Sequence, residues 1–516
     1  MNGADSLCDT LLAHGIDVCF ANPGTSEMHF VAALDRKPQM RCVLGMFEGV
    51  VTGAADGYAR MADKPAATLL HLGPGLANGL ANIHNARRAR TPMVNIVGDH
   101  ATYHLQHDAP LTSDIEGLAW PMSHWVRTTR TPDAVSHDTA EAIRVAMTPP
   151  GNIATLILPA DAAWGEAPQT IVSSDRRPAA PQVDEAAIRE AAAAIRSGKR
   201  TVLMLSGTAL RAGALETASR ISRATGVRLM AQGSNGRIER GAGRVAIERV
   251  PYVVDQALEA LSGTEQMILV GAKEPVAFFA YPGKPGRLEP ADCRMMELAS
   301  PEHDLAHALE WLADELGVGH NVTPEVEERG DMPLPSGKLD ADAVGRAIGA
   351  LMPENAILCD ESVSSGRQFF SLSRGSAPHD YLQITGGAIG LGLPLAAGAA
   401  VACPDRKVVS MQADGSGMYT VQALWTQARE NLDIVTVVFA NRSYAILHGE
   451  LKNVGAGAPG RNAQRMLDLD HPALDWVSLA RGMGVEAARA TTSEELVKAL
   501  QGAMSRKGPY LIEAVI

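Results

Sequence analysis

Cysteine is scarce in this sequence and nowhere closely paired. The six thiols, Cys8, Cys19, Cys42, Cys293, Cys359 and Cys403, contain no C-x-x-C and are too few to staple 516 residues, which excludes a disulfide scaffold and the common zinc ribbons. A reducing compartment suits them, and a cytoplasmic location is expected. Long apolar runs are missing as well. No segment offers about 18 uncharged apolar residues without glycine or proline, the length a membrane span needs. The N-terminus, MNGADSLCDTLLAHGIDVCF, shows no basic flank before an apolar core, so no secretory leader is read there. There is no excess of basic charge: the formal net charge of -12 argues against nucleic acid or an anionic membrane as the main partner. Aromatic residues make up only 4% of the chain, so its cores must be filled by small and aliphatic side chains.

What the chain has in quantity is glycine, 49 residues, and alanine, which let helices pack closely on sheets. Short β-branched runs (RTVLMLSG, EQMILVGA, RKVVSMQ, DIVTVVFA, YLIEAVI) alternate with alanine-rich helical stretches such as VDEAAIREAAAAIRSG. That order predicts an α/β class with doubly wound, mainly parallel sheets, whose ligands sit at the C-terminal ends of strands. The length exceeds what one core usually serves. Two stretches rich in proline and polar residues, Trp164 to Gln182 and Val322 to Lys338, lack apolar periodicity and read as linkers. Three domains follow, at 1–165, 183–322 and 338–516. Segments from Gly73 and from Ala413 each run from a glycine turn through a helix into a β-branched strand, which suggests two similar units around a different middle one.

The run VVSMQADGSGMYT, Val408 to Thr420, ends on an aspartate followed by glycine. Taken alone, Asp414 is a turn residue. The helix MYTVQALWTQARE and the strand DIVTVVFA that follow deliver NRSY, so one α/β crossover carries Asp414 and Asn441 to the same sheet edge. A carboxylate, an amide oxygen and the carbonyl of Ser443 make a hard oxygen set suited to octahedral Mg2+ completed by phosphate and water. Gly415 and Ser416 can turn backbone N–H groups toward the phosphates. In the first domain RCVLGM reads as a strand, and Glu48 opens a helix whose Gly49, Gly53, Ala54 and Gly57 form a smooth packing face. On its own, Glu48 is also what a helix N-terminus favours. His71 lies in the apolar run ATLLHLG, where a satisfied core histidine is the plain reading.

The stretch ADGSGMYTVQALWTQARENLDIVTVVFANRSY resembles the diphosphate-binding signature of thiamine-diphosphate enzymes, with Ala413 in place of the first glycine and Ala440 in place of the first of the paired asparagines. The resemblance covers essentially the whole chain and is nearest to the benzoylformate decarboxylase branch, with acetolactate synthase large subunits and pyruvate oxidase further off. It implies Mg2+ held by Asp414, Asn441 and the Ser443 carbonyl, and cofactor contacts from Gly415, Ser416, Tyr444 and, in DESVSS, Ser364. It also implies that Glu48 bonds N1′ of the aminopyrimidine, so that the cofactor's own nitrogen can take the proton from thiazolium C2. LQITGGAIGLGLPLAAGAAVA resembles the cofactor-bending segment, with Ile389 beneath the bent cofactor and the Gly387 carbonyl at its amino group. ANPGTSEMHF resembles the cofactor-side loop, with Pro23 toward the cofactor and Thr25 facing substrate. LHLGPGLAN, with Asn78, matches a run that makes His71 catalytic, and SYAILHG matches a substrate-side helix with Ile446 and Leu447 lining the pocket. The family implies active sites shared between subunits, Glu48 of one facing the Mg-diphosphate of the other, in a homotetramer built as a dimer of dimers.

Departures from the pattern bear on the substrate. The second catalytic histidine of benzoylformate decarboxylases has no counterpart in KEPVAFFAYPGKPG, where Phe278 and Phe279 fall, so its proton role is lost or moved to His448 or the histidines of YHLQHDAP. DAPLTSDIE puts Pro110 and Leu111 where synthases carry a glutamine, while Ile446 is bulkier than an aryl pocket requires. A modest aliphatic or small aromatic 2-oxo acid remains. LSGTALRAGA lacks GxGxxG, and FAD is not expected. The leading expectation is a non-oxidative thiamine-diphosphate decarboxylase (lyase) that gives CO2 and an aldehyde, with carboligation open to it. The alternatives are an acetolactate-synthase-like carboligase, a non-catalytic relative, which Glu48, Asp414 and Asn441 disfavour, and a nicotinamide dehydrogenase, which lacks its phosphate fingerprint.

Overall fold

The β-branched runs form the strands of three sheets in the computed structural model, which describes residues 1–173 and 178–516. Of the linker expected at 164–182, residues 174–177 lie outside the described residues. The first sheet has six parallel strands in the order Arg41–Leu44, Val18–Ala21, Ala67–Leu70, Met93–Asp99, Ile153–Pro159, Trp125–Thr128. The second has five, in the order Glu248–Arg249, Arg228–Ala231, Thr201–Leu205, Gln266–Val270, Arg294–Ala299, again all parallel. The third has seven: Glu486–Ala490, Tyr510–Val515, Ile434–Ala440, Val408–Ala413, Ala356–Glu361 and His379–Gln383 run parallel, and Ile238–Arg240 closes the edge antiparallel to His379–Gln383. That last strand comes from the middle of the chain, so the middle segment is stitched into the C-terminal sheet. The α/β class with mainly parallel sheets is the one expected from the alternating pattern.

Small residues set how the first and last sheets meet. Helix Glu48–Ala62 lies along helix Gly392–Ala402. A Cβ on Gly57 would fall 2.0 Å from the Leu395 carbonyl oxygen, and one on Gly398 would fall 1.8 Å from that of Ala54. A methyl group at either position would force the helices apart, at a cost on the order of 1–3 kcal/mol. The apolar cluster around them joins Val51, Ala54 and Tyr58 to Ile357, Leu391 and Leu395, so the two outer units share one core. Arg60 ties in the middle unit, donating to the Gly236 carbonyl at 3.1 Å and the Gln383 carbonyl at 2.7 Å while paired with Asp56.

One expected element is broken. The stretch Met418–Glu430 forms not one helix but a 3-10 turn, Met418–Thr420, and a short helix, Ala423–Arg429, after the single-turn helix Asp414–Gly417. The break lets the Thr420 hydroxyl reach the Gly390 carbonyl at 2.9 Å. The helix expected after the Gly73 turn starts earlier, at Leu72, whose φ of +48° makes the turn directly after His71. Among the described residues no helix is long and apolar enough to cross a membrane, and all six cysteines are free.

Candidate active site

In an open parallel sheet, ligands collect where the strand order reverses, at the C-terminal ends of the two strands that flank the reversal. In the first sheet those strands are Val18–Ala21 and Ala67–Leu70. Past Ala21 the chain turns through Pro23 and Gly24 into the 3-10 turn Thr25–Glu27, and past Leu70 comes His71. The two ends meet through a residue that no motif had marked. The buried Glu27 carboxylate accepts from the Gly24 N–H at 2.7 Å and the Ser26 hydroxyl at 2.7 Å, and stands 2.8 Å from His71 Nδ1. With a carboxylate as its partner, Nδ1 carries the proton and Nε2 is the nitrogen open to exchange. Glycine is required on both sides of the pair: a Cβ at Gly24 would lie 2.1 Å from His71 Nδ1, and one at Gly98 1.8 Å from Glu27 Oε1.

Glu48 opens its helix beside this pair. It is buried, and its Oε2 accepts from Asn78 Nδ2 at 3.0 Å. A Cβ on Gly75 would lie 2.9 Å from Glu48 Oε1 and 3.2 Å from His71 Cβ, so the carboxylate and the imidazole border the same glycine. Thr25 is exposed on the rim, while the neighbouring Ser26 comes within 3.4 Å of His71 Nδ1. Leu111, 36% exposed, belongs to a segment that folds back over the same helix start, since Ser113 Oγ lies 1.9 Å from where a Gly73 Cβ would sit.

The third sheet reverses order between Ala356–Glu361 and Val408–Ala413. Asp414 follows the second of these strands, and its buried carboxylate accepts from the Gly415 N–H at 2.8 Å and the Arg442 N–H at 2.6 Å. Burial pushes this carboxyl up from the usual aspartate range, and the two N–H donors pull it back. The Gly415 N–H expected to face phosphate is therefore bonded to the Asp414 side chain. Asn441 follows the next strand; its Oδ1 accepts from the Ser443 N–H at 3.0 Å and its Nδ2 reaches Ser365 Oγ at 3.4 Å. Asp414 and Asn441 are thus gathered in one loop cluster, as their crossover predicts. The hydroxyl that meets Asn441 is that of Ser365, while the neighbouring Ser364 is half-buried. Tyr444 packs its ring against Gly415, where a Cβ would fall 2.5 Å from Cε1. The Ser416 hydroxyl is turned inward to Gln412 Nε2, at 2.6 Å.

Between the two clusters runs the segment 385–392, gripped by the helix Leu72–Ala89. Asn85 brackets Ala388, donating to its carbonyl at 2.7 Å and accepting from its N–H at 3.2 Å. His84 contacts the Gly386 carbonyl, and Asn82 donates both to the Gly49 carbonyl and to the Gly390 carbonyl. Gly387 and Gly390 have φ of +78° and +99°, a backbone that glycine adopts freely and side chains oppose. Half-buried Ile389 stands between these fixed points. A ring of the middle unit closes the far side: a Cβ on Gly387 would lie 2.7 Å from Phe278 Cζ. Phe278 packs edge-on against Phe279, and Tyr281 from the same loop donates to Glu450 on the helix Ala445–Asn453 that carries Ile446 and Leu447. His448, considered as a stand-in proton carrier, is paired with Asp468 at 3.0 Å.

Among the described residues there is no cluster of three or more His, Cys, Asp or Glu side chains able to hold a metal. Asp414, Asn441 and the Ser443 carbonyl are a different kind of set, one carboxylate with neutral oxygens, which fits Mg2+ bound together with phosphate. Residues 1–118 match the family described as "Thiamine pyrophosphate enzyme, N-terminal TPP binding domain", and residues 363–514 match its C-terminal TPP binding domain. The chain is 50% identical to a Mycobacterium tuberculosis protein named "Putative acetolactate synthase large subunit IlvX", over 100% of this chain and 99% of the other. It is 30% identical to a benzoylformate decarboxylase of Pseudomonas aeruginosa, over 98% and 97%. In fold it matches the thiamine diphosphate-dependent 4-hydroxybenzoylformate decarboxylase of Rhodococcus jostii RHA1, with a TM-score of 0.87 and 24% identity over 100% of this chain and 99% of that one.

Proposed function

Since the chain belongs to the thiamine pyrophosphate enzyme family, related to both benzoylformate decarboxylase and acetolactate synthase, we propose that it is a non-oxidative decarboxylase of small 2-oxo acids that releases CO2 and an aldehyde. The observation that carries this reading is the Glu27–His71 pair beside Glu48. Decarboxylation to an aldehyde ends with a proton delivered to carbon, and an imidazole whose Nδ1 is held by a buried carboxylate presents Nε2 for that delivery. Carboligation puts an acceptor carbonyl in the proton's place and has less need of the pair.

Thiamine diphosphate, when bound, supplies the carbon nucleophile and the electron sink for loss of CO2. Asp414, Asn441 and the Ser443 carbonyl would hold Mg2+, with Gly415, Ser416, Ser364 and Tyr444 at the diphosphate. Glu48 would hold a proton at the aminopyrimidine, Ile389 would support the rings from below, and the Gly387 carbonyl and Pro23 would fix its edge. Thr25, Leu111, Ile446 and Leu447 would face the substrate. At the strand reversal of the middle sheet, Arg90 donates to the Gly271 carbonyl at 2.7 Å and Leu305 packs on Gly271. Exposed Met46 near Glu48, with exposed Tyr419 and Leu447 near Asp414, supports a subunit interface across the two clusters.

A second reading, an acetolactate-synthase-like carboligase, is favoured by the name of the half-identical relative. Incubating the purified protein, loaded with thiamine diphosphate and Mg2+, with a panel of aliphatic and aromatic 2-oxo acids separates the two. Aldehyde formed in step with CO2 supports the decarboxylase, whereas acetohydroxy-acid or 2-hydroxy-ketone products alone replace it with the carboligase.

A further inference from the structure

Glu361 ends the strand Ala356–Glu361, at the strand reversal of the third sheet, and is buried there with no ion-pair partner among the described residues. Its Oε1 accepts from the Gly390 N–H at 2.7 Å and the Leu391 N–H at 3.0 Å, and its Oε2 accepts from the Gly392 N–H at 2.8 Å and Gln412 Nε2 at 2.9 Å. Every one of these neighbours is a donor and favours the carboxylate, while burial pushes the carboxyl up from the usual glutamate range. Three of them are the amides that lead into helix Gly392–Ala402, directly after Ile389. The fourth belongs to a side chain whose same nitrogen also donates to Ser416 Oγ at 2.6 Å, on the turn that begins at Asp414. Close approach is built in: a Cβ on Gly392 would lie 2.4 Å from Gln412 Oε1 and 2.8 Å from Glu361 Cβ.

We propose that Glu361 is a positioning residue that, through Gln412, locks the segment around Ile389 to the turn Asp414–Ser416 and so holds in register the two surfaces that take opposite ends of the cofactor. The inference rests on the thiamine-diphosphate reading of this site. A buried acid that served the fold alone needs only local donors. Here one carboxylate collects the three amides directly after Ile389 and, via the Gln412 amide, the hydroxyl of Ser416. The same peptide is held from its other face by Asn82 and Thr420 on the Gly390 carbonyl, so loss of Glu361 frees one side of a clamp while the rest stays in place.

The test measures thiamine diphosphate affinity in the presence of Mg2+ by calorimetry, and hydrogen–deuterium exchange at C2 of the saturated cofactor. Wild type, Glu361→Gln, Gln412→Met, Ser416→Ala and the double variant Gln412→Met/Ser416→Ala are compared. Glu361→Gln turns a donor toward backbone N–H groups and should weaken cofactor binding and slow exchange by about tenfold each. Gln412→Met leaves the three backbone bonds to Glu361 intact, so the fold is kept, and should weaken binding in the same direction. Its effect should be smaller when Ser416 is already alanine, the coupling expected of a shared bridge. If Gln412→Met binds and exchanges as wild type does, or if its effect adds fully to that of Ser416→Ala, the role is overturned, whether or not Glu361→Gln folds. Failure of wild type itself to bind thiamine diphosphate overturns the cofactor reading instead.

Discussion

Glu27 Oε2 stands 2.8 Å from Nδ1 of His71 across the strand reversal of the first sheet, with Gly24 and Ser26 donating to the same carboxylate. The carboxylate fixes the ring's orientation and its tautomer. Replacing it by an amide keeps the shape while removing the charge that stabilises a protonated imidazole. Glu27→Gln should therefore lower turnover of a good 2-oxo acid by about 10²-fold, with cofactor affinity little changed. Steady-state rates beside calorimetric binding decide it, and an unchanged kcat would leave Glu27 as a loop anchor only.

Asp414 gives the metal prediction. Both of its oxygens accept backbone N–H groups at the loop that carries Arg442, so truncation to alanine would leave buried donors unpaired at about 1–3 kcal/mol. Asp414→Asn keeps an oxygen for one of the two N–H donors, turns its amide toward the other, and removes the negative charge that would face Mg2+. Cofactor affinity measured with Mg2+ should fall by about 10²-fold or more, while the apo protein melts lower but still in one cooperative transition. Wild-type affinity in this variant would remove Asp414 from the metal shell.

Glu48 is tested at one proton. Glu48→Gln keeps an oxygen for Asn78 Nδ2, so packing survives, but an amide cannot hold the proton at the aminopyrimidine. Exchange at C2 of the bound cofactor should slow by about 10²-fold while binding persists. Exchange at the wild-type rate would make Glu48 only the acid at a helix start.

How much of this was legible in the sequence depends on range. The strands, the Glu48 helix start and the joining of Asp414 with Asn441 follow from local periodicity and one crossover, and each is found where the residues place it. Glu27 is the single acid in ANPGTSEMHF, three residues past a glycine turn, and nothing local marks it. Its role exists only because His71 arrives 44 positions later. Asn85 meets Ala388 across 303 positions, and Glu361 meets Gly392 across 31. Such pairs leave no periodic trace. The unbroken helix expected from Met418 is not formed, and at its break the Thr420 hydroxyl bonds a carbonyl 30 positions away, at Gly390.

His379 makes one contribution to acid sensitivity. It is buried in the third sheet with Nδ1 on the Ala377 carbonyl, and burial beside Arg240 holds its pKa down to about 3 against a model-peptide value of 6.5. The unfolded chain takes up a proton below 6.5 and the native chain does not until about 3, so stability is full above pH 6.5 and is lost as pH falls through that window. At pH 5 the loss should approach about 2 kcal/mol. Urea midpoints between pH 7 and pH 5 should drop for wild type and drop less for His379→Gln; equal slopes would place the acid sensitivity elsewhere.

The choice between releasing an aldehyde and joining two carbonyls is tested at His71. On the middle-unit side of the site, Phe278 covers Gly387, and a phenyl ring carries no proton. His448 pairs with Asp468 as His71 does with Glu27, and His104 and His107 pack ring against ring, exposed to solvent; of these rings His71 is the one that borders the same glycine as Glu48. If its Nε2 delivers the proton, His71→Ala should cut aldehyde release by about 10²-fold or more. Cofactor affinity should barely move, because His71 sits with Glu27 in the first unit and not among the diphosphate contacts. Carbon–carbon bond formation with excess added aldehyde should fall much less, since the acceptor takes the place of the proton. Both products are measured for wild type and variant on one substrate that wild type turns over. Aldehyde release that survives the substitution removes His71 from proton delivery and, with it, the observation on which the decarboxylase reading stands.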